Sequence, residues 1–202
     1  MPGIIILSYG RSGSVLLAHN IGRNVGSLPT YAKGDFFSSG TVLDSDSPVI
    51  HSHLMLSADN FARYQKVFSL RADPSETVLS FVIANHYKQY HKFKDQELPT
   101  PEPFYVDPVK IKHCCQRLIA WHNYYANQLT VNDVVVVYEH MIDLLATTVY
   151  DPIYPDKDKI LLNYFEAKKM CSQYQDQMLD SSKLFLLHKN TKDIKNYINY
   201  VD

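Results

Sequence analysis

The chain has 202 residues, 46% of them hydrophobic and 20% charged, which is enough for one well-packed core and makes a single domain over 1–202 the expectation. A net charge of -1 gives no global basic field, so no nucleic-acid polymer is expected as partner, and no apolar run approaches the length of a membrane span. Cys114 and Cys115 are adjacent and Cys171 is remote, a spacing that suits neither a disulfide framework nor a zinc site and predicts buried thiols in a reducing, cytoplasmic compartment.

The first element is the stretch Ile4 to Leu17, IIILSYGRSGSVLL. Its opening apolar run is too short for a signal peptide and reads as a buried strand. Gly10 to Ser14 then turn the chain into a helix whose apolar positions are Val15, Leu16, Leu17, Ile21 and Val25, with Gly26 as its C-cap. Gly10 and Gly13 permit backbone angles and close ligand approach that a Cβ would obstruct. The amides from Ser12 to Val15 become orphan donors at a helix N-terminus, where an anion is readily held. Arg11 and the hydroxyls of Ser12 and Ser14 add charge and donors suited to a phosphate or sulfate. A plain strand-to-helix turn with Ser as N-cap is the competing reading. The ATP and GTP loop G-x-x-x-x-G-K-[ST] is not matched, because the glycines are too close and no Lys-Ser or Lys-Thr pair follows.

Residues 28–48 are rich in Ser, Gly, Asp and Thr and read as a long irregular connection. Val49 to Leu54 is a short strand with a polar end, followed by a candidate helix capped by Ser57 or Asp59. Lys66 to Arg71 is the next strand; Asp73 and Pro74 sit as N-cap and first residue of a helix reaching about Tyr90. Residues 91–108, Lys- and Pro-rich with three aromatics, read as a lid. A helix opens at Asp107 and Pro108, with Ile111, Cys115, Leu118, Ile119 and His122 on one side. The β-branched run Val134 to Val137 suits a central parallel strand buried on both faces. Residues 157–178 and 191–200 read as the last helices.

Alternating strands and helices predict an α/β fold: three layers, with a central, mostly parallel sheet flanked by helices and its ligand at the carboxyl ends of the strands. The loop at 10–14, His51 with His53, and Arg71 all fall at such ends. His53 reads as a general base or as a strand-end imidazole bonded to a carbonyl, and His51 with His53 as a metal pair lacking a third ligand. Arg71 is a phosphate ligand or a structural ion-pair partner, and Ser80 a ligand or a helix hydroxyl bonded to its own backbone. Trp121, Tyr124 and Tyr125 stack on a base or belong to the core.

Together these residues resemble the sulfotransferases that use 3'-phosphoadenosine 5'-phosphosulfate (PAPS). Tyr9, Gly10, Arg11, Ser12, Gly13, Ser14 and Val15 are similar to that family's loop, of the form Y-P-K-S-G-T-T or R-S-G-S-T. Arg71, Asp73, Pro74 and Ser80 are similar to its 3'-phosphate element, with Ala72 inserted after the Arg. Ser52, His53 and Leu54 look like its K-T-H-L segment, with His51 where the cytosolic members have Lys, and Tyr138, Glu139, His140 and Met141 look like its Y-E-D-L/M. His188, Lys189 and Asn190 stand where the family has R-K-G.

The resemblance implies a P-loop-like phosphate-binding loop after the first strand and a sulfotransferase moving a sulfuryl group from PAPS to a hydroxyl or amine of a small-molecule or carbohydrate acceptor, with no metal expected. It implies catalytic roles for Arg11 and His53. Donor binding falls to Gly10, Arg11, Ser12, Gly13, Ser14, Val15, Arg71, Ser80 and Lys189. Two other functions compete: a small nucleotide-dependent kinase or P-loop-type phosphotransferase, and a non-catalytic nucleotide-binding module.

Overall fold

The computed structural model describes residues 3–32, 46–61, 63–90, 97, 100–140 and 156–187. Five parallel strands form one sheet: β1 (Gly3–Leu7), β2 (Thr30–Tyr31), β3 (Val49–Ser52), β4 (Tyr64–Leu70) and β5 (Val134–Val137), in the order β2-β3-β1-β4-β5. The helices are α1 (Ser14–Asn24), α2 (Pro74–Tyr87), α3 (Pro108–Ala126), α4 (Lys157–Ile160), α5 (Tyr164–Ser172) and α6 (Gln175–Leu186).

Strand periodicity divides the core in two. Ile6, Val49, Val67, Val134 and Val136 face one way and pack with Leu17, Ala18 and Ile21 of α1. Ile5, Leu7, Ile50, Phe68, Leu70 and Val135 face the other way, onto α2, α3, α5 and α6. The result is the expected three-layer α/β arrangement. On that second face Trp121 and Tyr125 are fully buried, and Phe68 meets Trp121, Tyr125 and Phe185 edge-on. Trp121 and Tyr125 therefore belong to the core. Tyr124 and Tyr125 also donate their hydroxyls to the carbonyls of Leu56 and Leu54, at 2.6 Å each, pinning the chain beyond β3 to α3.

Two helix ends follow from their residues as expected. Asp73 accepts the amide of Ser75 at 2.9 Å with Pro74 as first helical residue, and the Asp73 cap is worth about 1 kcal/mol. Gly26, at φ 71°, ends α1: its amide meets the Arg23 carbonyl, and the Ser27 amide returns to Gly22 at 2.8 Å. The three cysteines are buried and unbridged.

Several expectations are corrected. β5 is buried on both faces yet lies at the edge of the described sheet, because face burial is set by the layers above and below and carries no information about lateral neighbours. The connection read as irregular contains β2, which pairs Thr30 with Ile50 and Tyr31 with His51. The candidate helix after β3 is one 3-10 turn, Ala58–Phe61. The helix expected over 157–178 is broken into α4, α5 and the start of α6. Leu161 turns extended and bridges to Phe104, whose amide reaches the Ile160 carbonyl at 3.0 Å and whose own carbonyl takes the Leu162 amide at 3.0 Å. Asn163 then closes both backbone groups of Val106 at 2.9 Å. These bonds also fasten the described part of the segment read as a lid, where Phe104 stacks on His86 with ring centroids 3.6 Å apart. The expected helix at 191–200 and Lys189 lie outside the described residues.

Among the described residues no helix is long and apolar enough to cross a membrane.

Candidate functional site

The chain leaves β1 toward β3 through α1, whereas it leaves β4 toward β5 through α2 and α3. Neighbouring strands whose connections diverge open a crevice at their carboxyl ends, so the segment 8–13 and Arg71 lie at the topological switch point.

The loop is held by its carbonyls. Ser69 of β4 donates its hydroxyl to the Ser12 carbonyl at 2.6 Å, and Arg71 donates Nε–H to the Arg11 carbonyl at 3.0 Å. In a trans peptide the next amide N–H points opposite to the carbonyl, so the N–H groups of Ser12 and Gly13 are turned away from these anchors. Gly10, Arg11 and Gly13 take φ of 112°, 56° and 70°, left-handed values that glycine adopts freely and that cost Arg11 about 1–2 kcal/mol. Gly13 is itself the N-cap of α1, and no side chain caps the helix. The plain turn with a serine cap is therefore not what forms. Among the described residues the amides of Gly10, Ser12, Gly13, Ser14 and Val15 donate to no protein acceptor, and the buried Ser12 Oγ, in a residue 2% exposed, has no hydrogen-bond partner. Orphan donors at a helix N-terminus can be satisfied by water or by an anion.

The histidines join this loop from β3. The His53 Nδ1–H donates to the Ser8 carbonyl at 2.9 Å and lies 3.0 Å from Ser8 Oγ. Ser8 Oγ donates to Ser14 Oγ at 2.7 Å, and Ser14 Oγ lies 2.9 Å from Nε2 of the buried His51. The two imidazoles meet edge to face with centroids 4.5 Å apart. A Cβ placed on Gly10 would stand 3.7 Å from His53 Cε1 and 3.8 Å from Phe81, so loop, imidazole and α2 converge there. Burial lowers the pKa of His53, the Ser8 carbonyl opposes that shift, and the charge of Arg11 adds to it. The ring is thus neutral at neutral pH, with Nε2 as its basic nitrogen. With Nδ1 turned to Ser8 and Nε2 of His51 to Ser14, the pair presents no common metal face, and among the described residues no group of three His, Cys, Asp or Glu could hold a metal ion.

Arg71 reaches the loop while also pairing: its Nη1 lies 3.6 Å from Glu76 Oε2 and its guanidinium 4.6 Å from the Tyr138 ring centroid. Lys157 Nζ meets the same Glu76 oxygen at 2.7 Å. Two part-buried cations thus share one carboxylate beside the loop. Glu139 accepts the Ala72 amide at 2.9 Å, which steadies the turn carrying Arg71. The Arg11 guanidinium donates to the Tyr90 carbonyl beyond the end of α2. Ser80 is buried in α2, and among the described residues no hydrogen bond joins it to Arg71 or the loop.

Ser8, Ser69 and Lys157 were not marked by motif. A serine inside the apolar run KVFSLR is a usable signal for a buried hydroxyl with a distant partner, whereas nothing in the local pattern marks Lys157.

No family model matches the chain, and a search of curated proteins returns no match.

Proposed function

We propose that this protein is a cytoplasmic sulfotransferase that takes a sulfuryl group from PAPS and passes it to a hydroxyl or amine of a small-molecule or carbohydrate acceptor. The observation that carries this reading is the meeting of unpaired loop amides, a second cationic turn at Arg71 and a neutral imidazole at His53 on one rim of the sheet. Two separate anion-holding features suit a donor with phosphate at both its 5' and 3' positions. A neutral base beside one of them suits deprotonation of an incoming hydroxyl.

In this reading the amides of Ser12 to Val15, with Gly10 allowing close approach, hold the 5'-phosphate. Arg11 offsets charge that develops on the bridging oxygen as the sulfuryl group leaves. Arg71 and Ser80, together with Lys189, bind the 3'-phosphate and select this donor over ATP. His53 takes the acceptor proton at Nε2 while the Ser8 carbonyl fixes its ring. Positioning for in-line displacement is the protein's main contribution, as in phosphoryl transfer.

Calorimetric titration with 3'-phosphoadenosine 5'-phosphate, beside ATP and AMP and with and without magnesium, tests the reading. Magnesium-independent binding, weakened about tenfold or more in Arg71→Ala and Ser80→Ala, is the expected result, since a lost charge-assisted contact costs about 1.5–3 kcal/mol. Preference for ATP with magnesium would instead identify a kinase. Absence of binding to all three would overturn the nucleotide reading altogether.

A further inference from the structure

The serines between the two histidines form an unbroken chain of hydroxyls. Assigning protons from the acceptors outward, His53 Nδ1–H is directed at the Ser8 carbonyl and Oγ, Ser8 gives its own proton to Ser14, and Ser14 is left to give its proton to His51 Nε2. Three links of 3.0, 2.7 and 2.9 Å therefore run from one imidazole to the other through buried groups. Hydrogen bonds in such a row polarise one another, more so where water is excluded.

We propose that Ser8, Ser14 and His51 are positioning residues that form a proton relay serving His53. This rests on the reading of His53 as the base. When His53 Nε2 takes a proton from the acceptor, the Nδ1 proton passes to Ser8 Oγ, the Ser8 proton to Ser14 Oγ, and the Ser14 proton to His51 Nε2. No electrons are exchanged: His53 ends neutral with its proton on Nε2, both serines keep one proton each, and His51 becomes imidazolium. That places the positive charge one hydroxyl behind the loop, under the amides that await an anion. The groups facing the pair are compatible with this. Arg11 faces His53 from the loop, Phe81 of α2 flanks the ring through Gly10, and the Tyr31 ring of β2 meets His51 edge-on at 5.2 Å. The Tyr31 hydroxyl is bonded in turn to His19 of α1 at 2.8 Å. The relay explains why a buried imidazole and two buried hydroxyls sit in series at a strand end, where a single carbonyl contact would suffice to orient His53.

Ring nitrogen NMR of the full-length protein without nucleotide reads the chain directly. In the wild type, His53 is expected as the Nδ1–H tautomer and His51 with Nε2 as hydrogen-bond acceptor. Ser8→Ala touches His53 and Ser14 but makes no bond to His51, yet it should shift the ring nitrogens of His51. Ser14→Ala should shift both imidazoles, while Ser14→Thr, which keeps the hydroxyl, should restore both wild-type patterns. Because the two rings also touch, with centroids 4.5 Å apart, it is Ser14→Thr that separates relay from packing: it changes the packed volume yet keeps the hydroxyl, so restored patterns read the relay, and patterns as disturbed as in Ser14→Ala would overturn it. His51 signals unmoved in Ser8→Ala, or His53 signals unmoved in Ser14→Ala, would overturn the relay. His51→Gln gives a second check: His53 must lose its wild-type nitrogen shifts, and their retention would sink the proposal as well. Since no nucleotide is present, failure here leaves the donor reading to the calorimetry above, and failure of the calorimetry leaves the relay to this experiment.

Discussion

The two ends of β4 bury polar groups in opposite ways. Near its start, Lys66 pairs with Asp133 at 2.9 Å, with side chains only 7% and 4% exposed. Each charge has a second partner, for Lys66 also reaches the Gln128 carbonyl at 2.5 Å and Asp133 takes the Thr130 amide at 2.6 Å. At and just beyond its carboxyl end, Ser69 and Arg71 spend their donors on loop carbonyls, and among the described residues the adjoining amides and Ser12 Oγ have no protein acceptor. The same strand thus carries a closed polar cluster and an open one. Lys66 and Asp133 find their partners within the fold, whereas the loop amides and Ser12 Oγ find no protein acceptor among the described residues. That difference, more than the presence of charge, distinguishes the candidate site.

Breaking the closed end should have the largest effect. Lys66→Ala leaves the buried Asp133 carboxylate without its cation and is expected to cost about 3–5 kcal/mol in chemical denaturation, whereas replacing both partners with apolar residues should cost much less. Equal losses for the single and double replacements would show that packing, not the pair, holds that end.

Acid should act next, on imidazoles held in the neutral state. His122 of α3 is held by Ser181 at 3.0 Å, and burial lowers its pKa to about 3; burial lowers that of His53 too. The unfolded chain binds these protons near the ordinary value while the folded chain does not, so stability is fully present above about pH 6.5 and falls as the pH drops below it. For His122 the loss between about pH 7.5 and pH 5 amounts to about 2 kcal/mol, and His122→Gln should remove that part of the slope. An unchanged slope in the variant would place the acid sensitivity elsewhere.

Opening the open end further should cost the fold least. Ser12→Ala removes a buried hydroxyl that has no partner and is expected to change stability by no more than about 0.5 kcal/mol. It should weaken binding of 3'-phosphoadenosine 5'-phosphate by about 3- to 10-fold, the value of one neutral hydrogen bond. A destabilisation approaching that of Lys66→Ala would mean that this hydroxyl is structural and the comparison between the two ends is wrong.

Much of this architecture is legible in the sequence. Periodicity and caps located β1, α1, β3, β4 and α2, because an apolar run, a Gly and an Asp-Pro pair act through bonds made within a few residues. The loop, Arg71 and His53 were legible as a set because parallel strands deliver their carboxyl ends to one rim. Ser8 and Ser69 were not, since each acquires its role from partners 45 and 57 residues away. Arg71 was legible as a phosphate ligand or an ion-pair partner, but not that its partner is Glu76 or that Lys157 shares that carboxylate.

Sequence alone therefore determined where the first strand turns into a helix, the alternation of elements and the apolar identity of the sheet, all consequences of short-range sterics and hydrophobic pattern. Tertiary structure alone decided that β5 lies at the edge of the described sheet, that the helical run after Asp156 breaks at Leu161 to meet Phe104, and that two histidines are joined through two serines. Those outcomes depend on which distant groups complete each other's hydrogen bonds, a matter no local pattern encodes.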